Sequence, residues 1–182
     1  MNELAAHITY MLMWISSNYG FPPYNPNDQI LLSFANEQQF AENICPDDLN
    51  RCKNMAALFI SDNNTIWIKV PDVKKLSSSF SKDIEVSLVH EFVHYFQAKE
   101  KSLFMPYCET KHTEQYKAFY RLEYQAYTAE NMYAELHYKK ATFTEEQVKL
   151  SANASSVMDY EMLLMIEQND PKYKKELCDR SK

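Results

Sequence analysis

Glycine is almost missing from this sequence: Gly20 is the single one among 182 residues. So few positions built for positive φ favour helices over a turn-rich β-sandwich. Proline is modest, seven in all, with Pro22, Pro23 and Pro26 clustered near the N-terminus. No apolar run is long enough to cross a bilayer, so no membrane span is expected. No basic run exceeds pairs such as Lys139-Lys140, and the formal net charge is −6. Nucleic-acid binding relies on neutralising phosphates, so no nucleic-acid partner is expected either. The four cysteines, Cys45, Cys52, Cys108 and Cys178, contain no C-x-x-C pair, which argues against a cysteine-ligated zinc ribbon. Their even number fits one or two disulfides in an exported protein and equally fits free thiols in the cytosol.

What is present is ordinary globular composition, 46% apolar and 24% charged, in a length suited to one domain. With no repeats or linkers, residues 1–182 are read as a single domain. The most leader-like segment is Tyr10-Met-Leu-Met-Trp-Ile15. Glu3 and His7 precede it, no Lys or Arg does, and no small-residue cleavage site follows, so it reads as a mature helix. A cytoplasmic location is the default expectation, and a periplasmic or secreted one requires a leader already removed.

Apolar residues at 4, 5, 8, 11, 12 and 15 give a helical period, closed by Gly20 as C-cap. A proline-broken loop follows, then a short strand over 30–34. Asn36 can cap a helix reaching about Ile44, and Asp47 to Lys53 is loop-like. Residues 57–61 and 65–70 flank Asp62-Asn-Asn64 as a hairpin. In its second strand Ile66, Ile68 and Val70 alternate with Trp67 and Lys69. After a serine-rich loop at Ser77 to Ser81, with Ser81 as N-cap, a helix runs to about Lys99. A long helix is expected from about Thr113 to Lys140. Glu145 to Leu150 and Ser156 to Gln168 read as two C-terminal helices, the second starting after Ser155-Ser156. The expected order is α, β-α-β-β, then several helices, an α+β class.

Within the central helix stands His90-Glu-Phe-Val-His94. Histidines four apart share one helix face, so both imidazoles can reach one tetrahedral metal. Glu91, one residue on, is too close along the helix to join them as a ligand. It is placed to accept a proton from a water held at the metal. The apolar residues Ile84, Leu88, Phe92, Tyr95 and Phe96 make the segment a core helix, where two histidines and a glutamate are costly without a partner. The plainer alternative is a surface helix with two ordinary histidines.

A catalytic zinc needs a third protein ligand and an open position. Glu100 occupies the place of a third ligand in the metzincin pattern, but Gln97 stands where that pattern needs a turning glycine. His112 follows a proline-containing loop and has no further support. Glu123 is the best candidate, 29 residues beyond His94 on the next long helix, sharing a face with Ala126 and Tyr127. A solvated glutamate on an amphipathic helix is its plainer reading.

The segments Ser87-Leu-Val-His-Glu-Phe-Val-His-Tyr-Phe-Gln97 and Arg121-Leu-Glu-Tyr-Gln-Ala-Tyr127 resemble the minimal gluzincin-type metallopeptidase domains of bacteria, small zincin-like proteins with a Leu-Val-His-Glu core and a Glu-x-x-Ala-Tyr segment. The similarity spans about residues 28 to 135. It implies a zincin-like fold: a small sheet of about three strands, antiparallel or mixed, packed on the metal helix and a long glutamate-bearing helix, with a helical C-terminus. It also implies His90, His94 and Glu123 as ligands of zinc (Zn2+), Glu91 as general base, and a peptide or protein as substrate. Thermolysin-like gluzincins carry an Asp four residues after the ligand glutamate to orient a histidine, and Tyr127 stands there instead. An oxyanion-stabilising Tyr or His is also usual in zincins, with Tyr116, Tyr120, Tyr133 and His137 available. Zincins hold an extended peptide on a sheet edge, implied here to be the strand from Ile66 to Val70 or the one before it. A bridge from Cys108 to Cys45 or Cys52 would fix the loop between the metal-binding helices. The expected activity is zinc-dependent peptide hydrolysis of the metalloendopeptidase kind. A catalytically silent zincin-fold binding or regulatory protein is the alternative, and a metal-free helical interaction protein a third.

Overall fold

The computed structural model describes residues 3–46, 52–53, 55–73 and 80–182. Among them the chain is α+β and mostly helical, with seven α-helices and one three-stranded mixed sheet. Two compact units are distinguished, Met1–Tyr95 and Phe96–Lys182.

In the first unit, helix α1 (Glu3–Tyr19) buries Met11, Leu12, Trp14, Ile15 and Ser16. Of the apolar positions read from the sequence, Met11, Leu12 and Ile15 are buried, Leu4 and Ile8 half-buried and Ala5 exposed. Gly20 ends it at φ +71°, a conformation that other residues adopt only at a cost. Strand β1 (Leu31–Ala35) leads to helix α2 (Glu37–Ile44). Asn36 begins α2 with a reciprocal capping box, accepting from Gln39 N–H while the Gln39 side chain accepts from its own N–H. Strands β2 (Ala57–Ile60) and β3 (Thr65–Lys69) form the expected hairpin. Asn64 takes φ +51° in its turn, and Asn63 Oδ1 accepts from Thr65 N–H at 3.1 Å.

The strand order is β1-β3-β2, with β1 parallel and β2 antiparallel to β3. The strand from Ile66 to Val70 therefore contributes β3, paired on both sides. It cannot be the free edge named as one choice for peptide pairing, which leaves β2. Ile66, Ile68 and Val70 are buried, and Trp67 packs on the other side against Phe40, Ala35 and the Cys45–Cys52 pair. Lys69 sits on that central strand because its ammonium donates to Lys53 O at 2.8 Å and lies over the Phe40 ring. Most of the loops expected at Asp47 to Lys53 and Ser77 to Ser81 lie outside the described residues.

Helix α3 (Lys82–Lys99) follows the sheet in sequence. Ser81 Oγ accepts from Ile84 N–H at 3.4 Å, the expected cap. Beyond α3, a 3-10 turn (Ser102–Phe104) and the short helix α4 (Met105–Cys108) take up the proline-bearing break. Helix α5 (His112–Tyr138) packs on α6 (Glu145–Asn169), with Phe119, Leu122 and Leu163 forming a buried cluster.

Two C-terminal expectations are corrected. Residues 145–169 form one helix rather than two, and Ser155-Ser156 does not restart it. Ser156 is fully buried and its hydroxyl donates to Ala152 O one turn back. The local hydrogen bonding that makes serine a good cap is thus satisfied inside the helix. A further helix, α7 (Pro171–Asp179), follows, begun by Asp170 accepting from Tyr173 N–H and by Pro171 in the first turn. The bridges are Cys45–Cys52 and Cys108–Cys178. Cys108 therefore joins α7 rather than Cys45 or Cys52, and each pair closes within its own unit.

Candidate metal centre

Helix α3 is buried over most of its length, with Val86, Leu88, Val89, Phe92, Val93, Tyr95 and Phe96 as its buried apolar residues. His90, Glu91 and His94 share that setting at 8%, 7% and 8% exposure. The Nε2 atoms of His90 and His94 face each other at 3.2 Å, their ring centroids 4.9 Å apart with planes at 72°. Two neutral imidazoles meeting Nε2 to Nε2 can share at most one hydrogen, while two imidazoliums would repel. Both nitrogens can instead direct a lone pair at one cation.

Glu123 on α5 is 6% exposed. One ligand atom from each of His90, His94 and Glu123 lies within 4.8 Å of the other two. Among the described residues this is the one set of three His, Cys, Asp or Glu side chains gathered so closely, and it can hold a metal ion. Glu91 is buried beside His90 in sequence and stands outside the set.

The other sequence candidates lie elsewhere. Glu100 is exposed just past the end of α3, where Lys101 turns the chain at φ +68°. His112 is exposed at the start of α5, its Nδ1 3.1 Å from Gln115 Oε1 and its ring edge-on to Tyr160. Tyr116 and Tyr120 line a shallow depression together with Lys149 and Asn153 of α6, and the Tyr116 hydroxyl donates to Asn153. Tyr133 is fully buried against the His137 ring, at 4.2 Å between centroids. Tyr127, at the position of the gluzincin Asp, places its hydroxyl 3.0 Å from Ser155 Oγ and its ring edge-on to Phe143.

Two polar contacts beside the histidines were not foreseen. Tyr95, next after His94, donates to Asp28 Oδ2 at 2.7 Å and so ties the proline-rich loop to α3. Burial, and then this bond to a carboxylate, push the Tyr95 phenol well above its ordinary pKa. Gln97, fully buried, donates to Leu122 O at 3.1 Å and to Gln125 Oε1 at 2.9 Å. The sequence signal for Gln97 was its spacing of three from His94, which puts it one turn further along the same helix.

No family model matches the chain, and no curated protein or solved structure is significantly similar to it.

Proposed function

We propose that this chain is a zinc metallopeptidase of gluzincin type, hydrolysing a peptide bond in a peptide or protein substrate. The observation that carries the reading is the buried His90, His94 and Glu123 set with Glu91 one residue from the first ligand. A tetrahedral zinc with Zn–N near 2.0–2.1 Å places two ligand nitrogens about 3.3–3.4 Å apart. The observed 3.2 Å between the two Nε2 atoms is close to that edge, and two nitrogens with one carboxylate oxygen are the donor types of a catalytic zinc.

Zinc, when bound, supplies Lewis acidity, making a water acidic near neutral pH and polarising a substrate carbonyl. His90 and His94 would hold the ion from one face of α3, with Glu123 as the third protein ligand. A Glu91 carboxylate oxygen takes the water's proton as the nucleophile forms and returns it to the leaving amine. The apolar residues around α3 exclude bulk water, which strengthens each of these electrostatic interactions. Strand β2, an edge of the sheet, is the element on which an extended substrate would pair. The two disulfides add an oxidising compartment to this reading, in place of the cytoplasmic default.

The test is Glu91→Gln, which keeps size and polarity and removes the base. We expect unchanged zinc content and a fall in turnover of about 10²–10⁴-fold on a peptide library, the usual contribution of a positioned general base. A variant that still cleaves at the wild-type rate defeats the mechanism. A wild-type protein that binds zinc and cleaves nothing favours the silent binding protein instead.

A further inference from the structure

Gln97 lies in the last turn of α3, three residues past His94, and has no exposed surface. Its Nε2 donates to Leu122 O at 3.1 Å and to Gln125 Oε1 at 2.9 Å. A primary amide nitrogen carries two hydrogens, so both are engaged. Its backbone is held as well, since the Gln97 carbonyl accepts from Ser102 Oγ at 3.1 Å.

The acceptor Leu122 O belongs to the peptide bond whose nitrogen is that of Glu123. Within α5 that carbonyl also faces the N–H four residues on, and its second lone pair is open to a side chain. The contact thus falls on the backbone unit that carries the Glu123 carboxylate. Gln125 Oε1, two residues beyond Glu123, fixes the orientation of the Gln97 amide. The helix that supplies both imidazoles therefore also grips the peptide bond of the remaining member of the set.

We propose that Gln97 is a positioning residue for the third metal ligand: its amide fixes the Leu122–Glu123 peptide against α3, so that the Glu123 carboxylate meets His90 and His94 as a preformed site. This rests on the reading of His90, His94 and Glu123 as ligands. It also gives the position a role opposite to that of the metzincin glycine. There the chain turns away to bring its own next ligand; here the helix continues and Gln97 fastens it to the element bearing the ligand. Groups that orient metal ligands typically affect metal affinity by about 10–100-fold.

The experiment is a double-mutant cycle read by zinc affinity, with Zn2+ alone titrated against a chromophoric chelator and no substrate present. The four proteins are wild type, Gln97→Met, Glu123→Gln and the double variant. Methionine keeps the length of the side chain and removes both donors. In the presence of Glu123, Gln97→Met is expected to weaken zinc binding by about 10-fold or more. In the Glu123→Gln background the same change is expected to stay within about 2-fold, the scatter of uncoupled sites. No loss with Glu123 present, or an equal loss in both backgrounds, overturns the proposal and leaves Gln97 a packing residue. Unchanged affinity in Glu123→Gln alone overturns the ligand assignment itself, a distinct failure. If Gln97→Met does not fold, Gln125→Ala at a half-buried position removes only the acceptor that orients the amide. A smaller loss, present with Glu123 and absent without it, supports the proposal, and no loss with Glu123 present overturns it.

Discussion

His90, Glu91, His94 and Glu123 are each more than nine-tenths buried, on helices whose buried positions are mostly apolar. An ionisable group withdrawn from water costs several kcal/mol unless something compensates it. A cation bound as proposed between the two imidazoles and the carboxylate would compensate three of the four groups at once. Tyr127 is a different case, because its hydroxyl meets Ser155 Oγ across the α5–α6 contact. Tyr127→Phe should therefore cost roughly 1 kcal/mol of stability, a typical hydrogen-bond increment, and leave zinc affinity unchanged in a chelator competition. A large fall in affinity would show that the phenol does orient a ligand. The His90-Glu91-His94 spacing was legible in the sequence because helix geometry alone places i and i+4 together. Glu123 was nominated from its place on the next long helix and from the Glu-x-x-Ala-Tyr resemblance. The contacts of Gln97 and Tyr95 were not legible, since their partners lie 25 and 67 residues away and only tertiary packing brings them close.

At the scale of elements, the helices with strong ends were readable: Asn36, Ser81 and Gly20 mark boundaries by chemistry that acts within one turn. The failures share one cause. Ser155-Ser156 carries a local preference for a helix start, and burial of Ser156 with its bond to Ala152 O overrides it. The pairing of Cys108 with Cys178 spans 70 residues and depends on α4 meeting α7, which no local pattern encodes. Loop length ranks the two bridges. Closing 7 residues at Cys45–Cys52 and 70 at Cys108–Cys178 stabilises by about 2 and about 4 kcal/mol respectively in the chain-entropy account. Thermal denaturation of Cys108→Ser/Cys178→Ser should thus show a larger fall in Tm than Cys45→Ser/Cys52→Ser. The reverse order would place the stabilisation in native-state contacts near Cys45 rather than in loop closure.

Over the whole molecule, scarcity of glycine does not prevent left-handed turns. Asn64, Lys101 and Lys139 take positive φ without it, each at a cost of roughly 1–3 kcal/mol. Two of them, Lys101 and Lys139, stand just past α3 and α5, the helices that carry the site, so these ends are set by tertiary structure rather than by local preference. The helix-rich composition inferred from one glycine is present, and so is the small mixed sheet. The central claim, that this arrangement holds a catalytic zinc, has one direct measurement. Diffraction from zinc-loaded crystals at the zinc absorption edge is expected to give one anomalous peak, about 2.0–2.2 Å from His90 Nε2, His94 Nε2 and a Glu123 carboxylate oxygen. A peak at other residues, or none at the histidines of a zinc-saturated protein, would contradict the account.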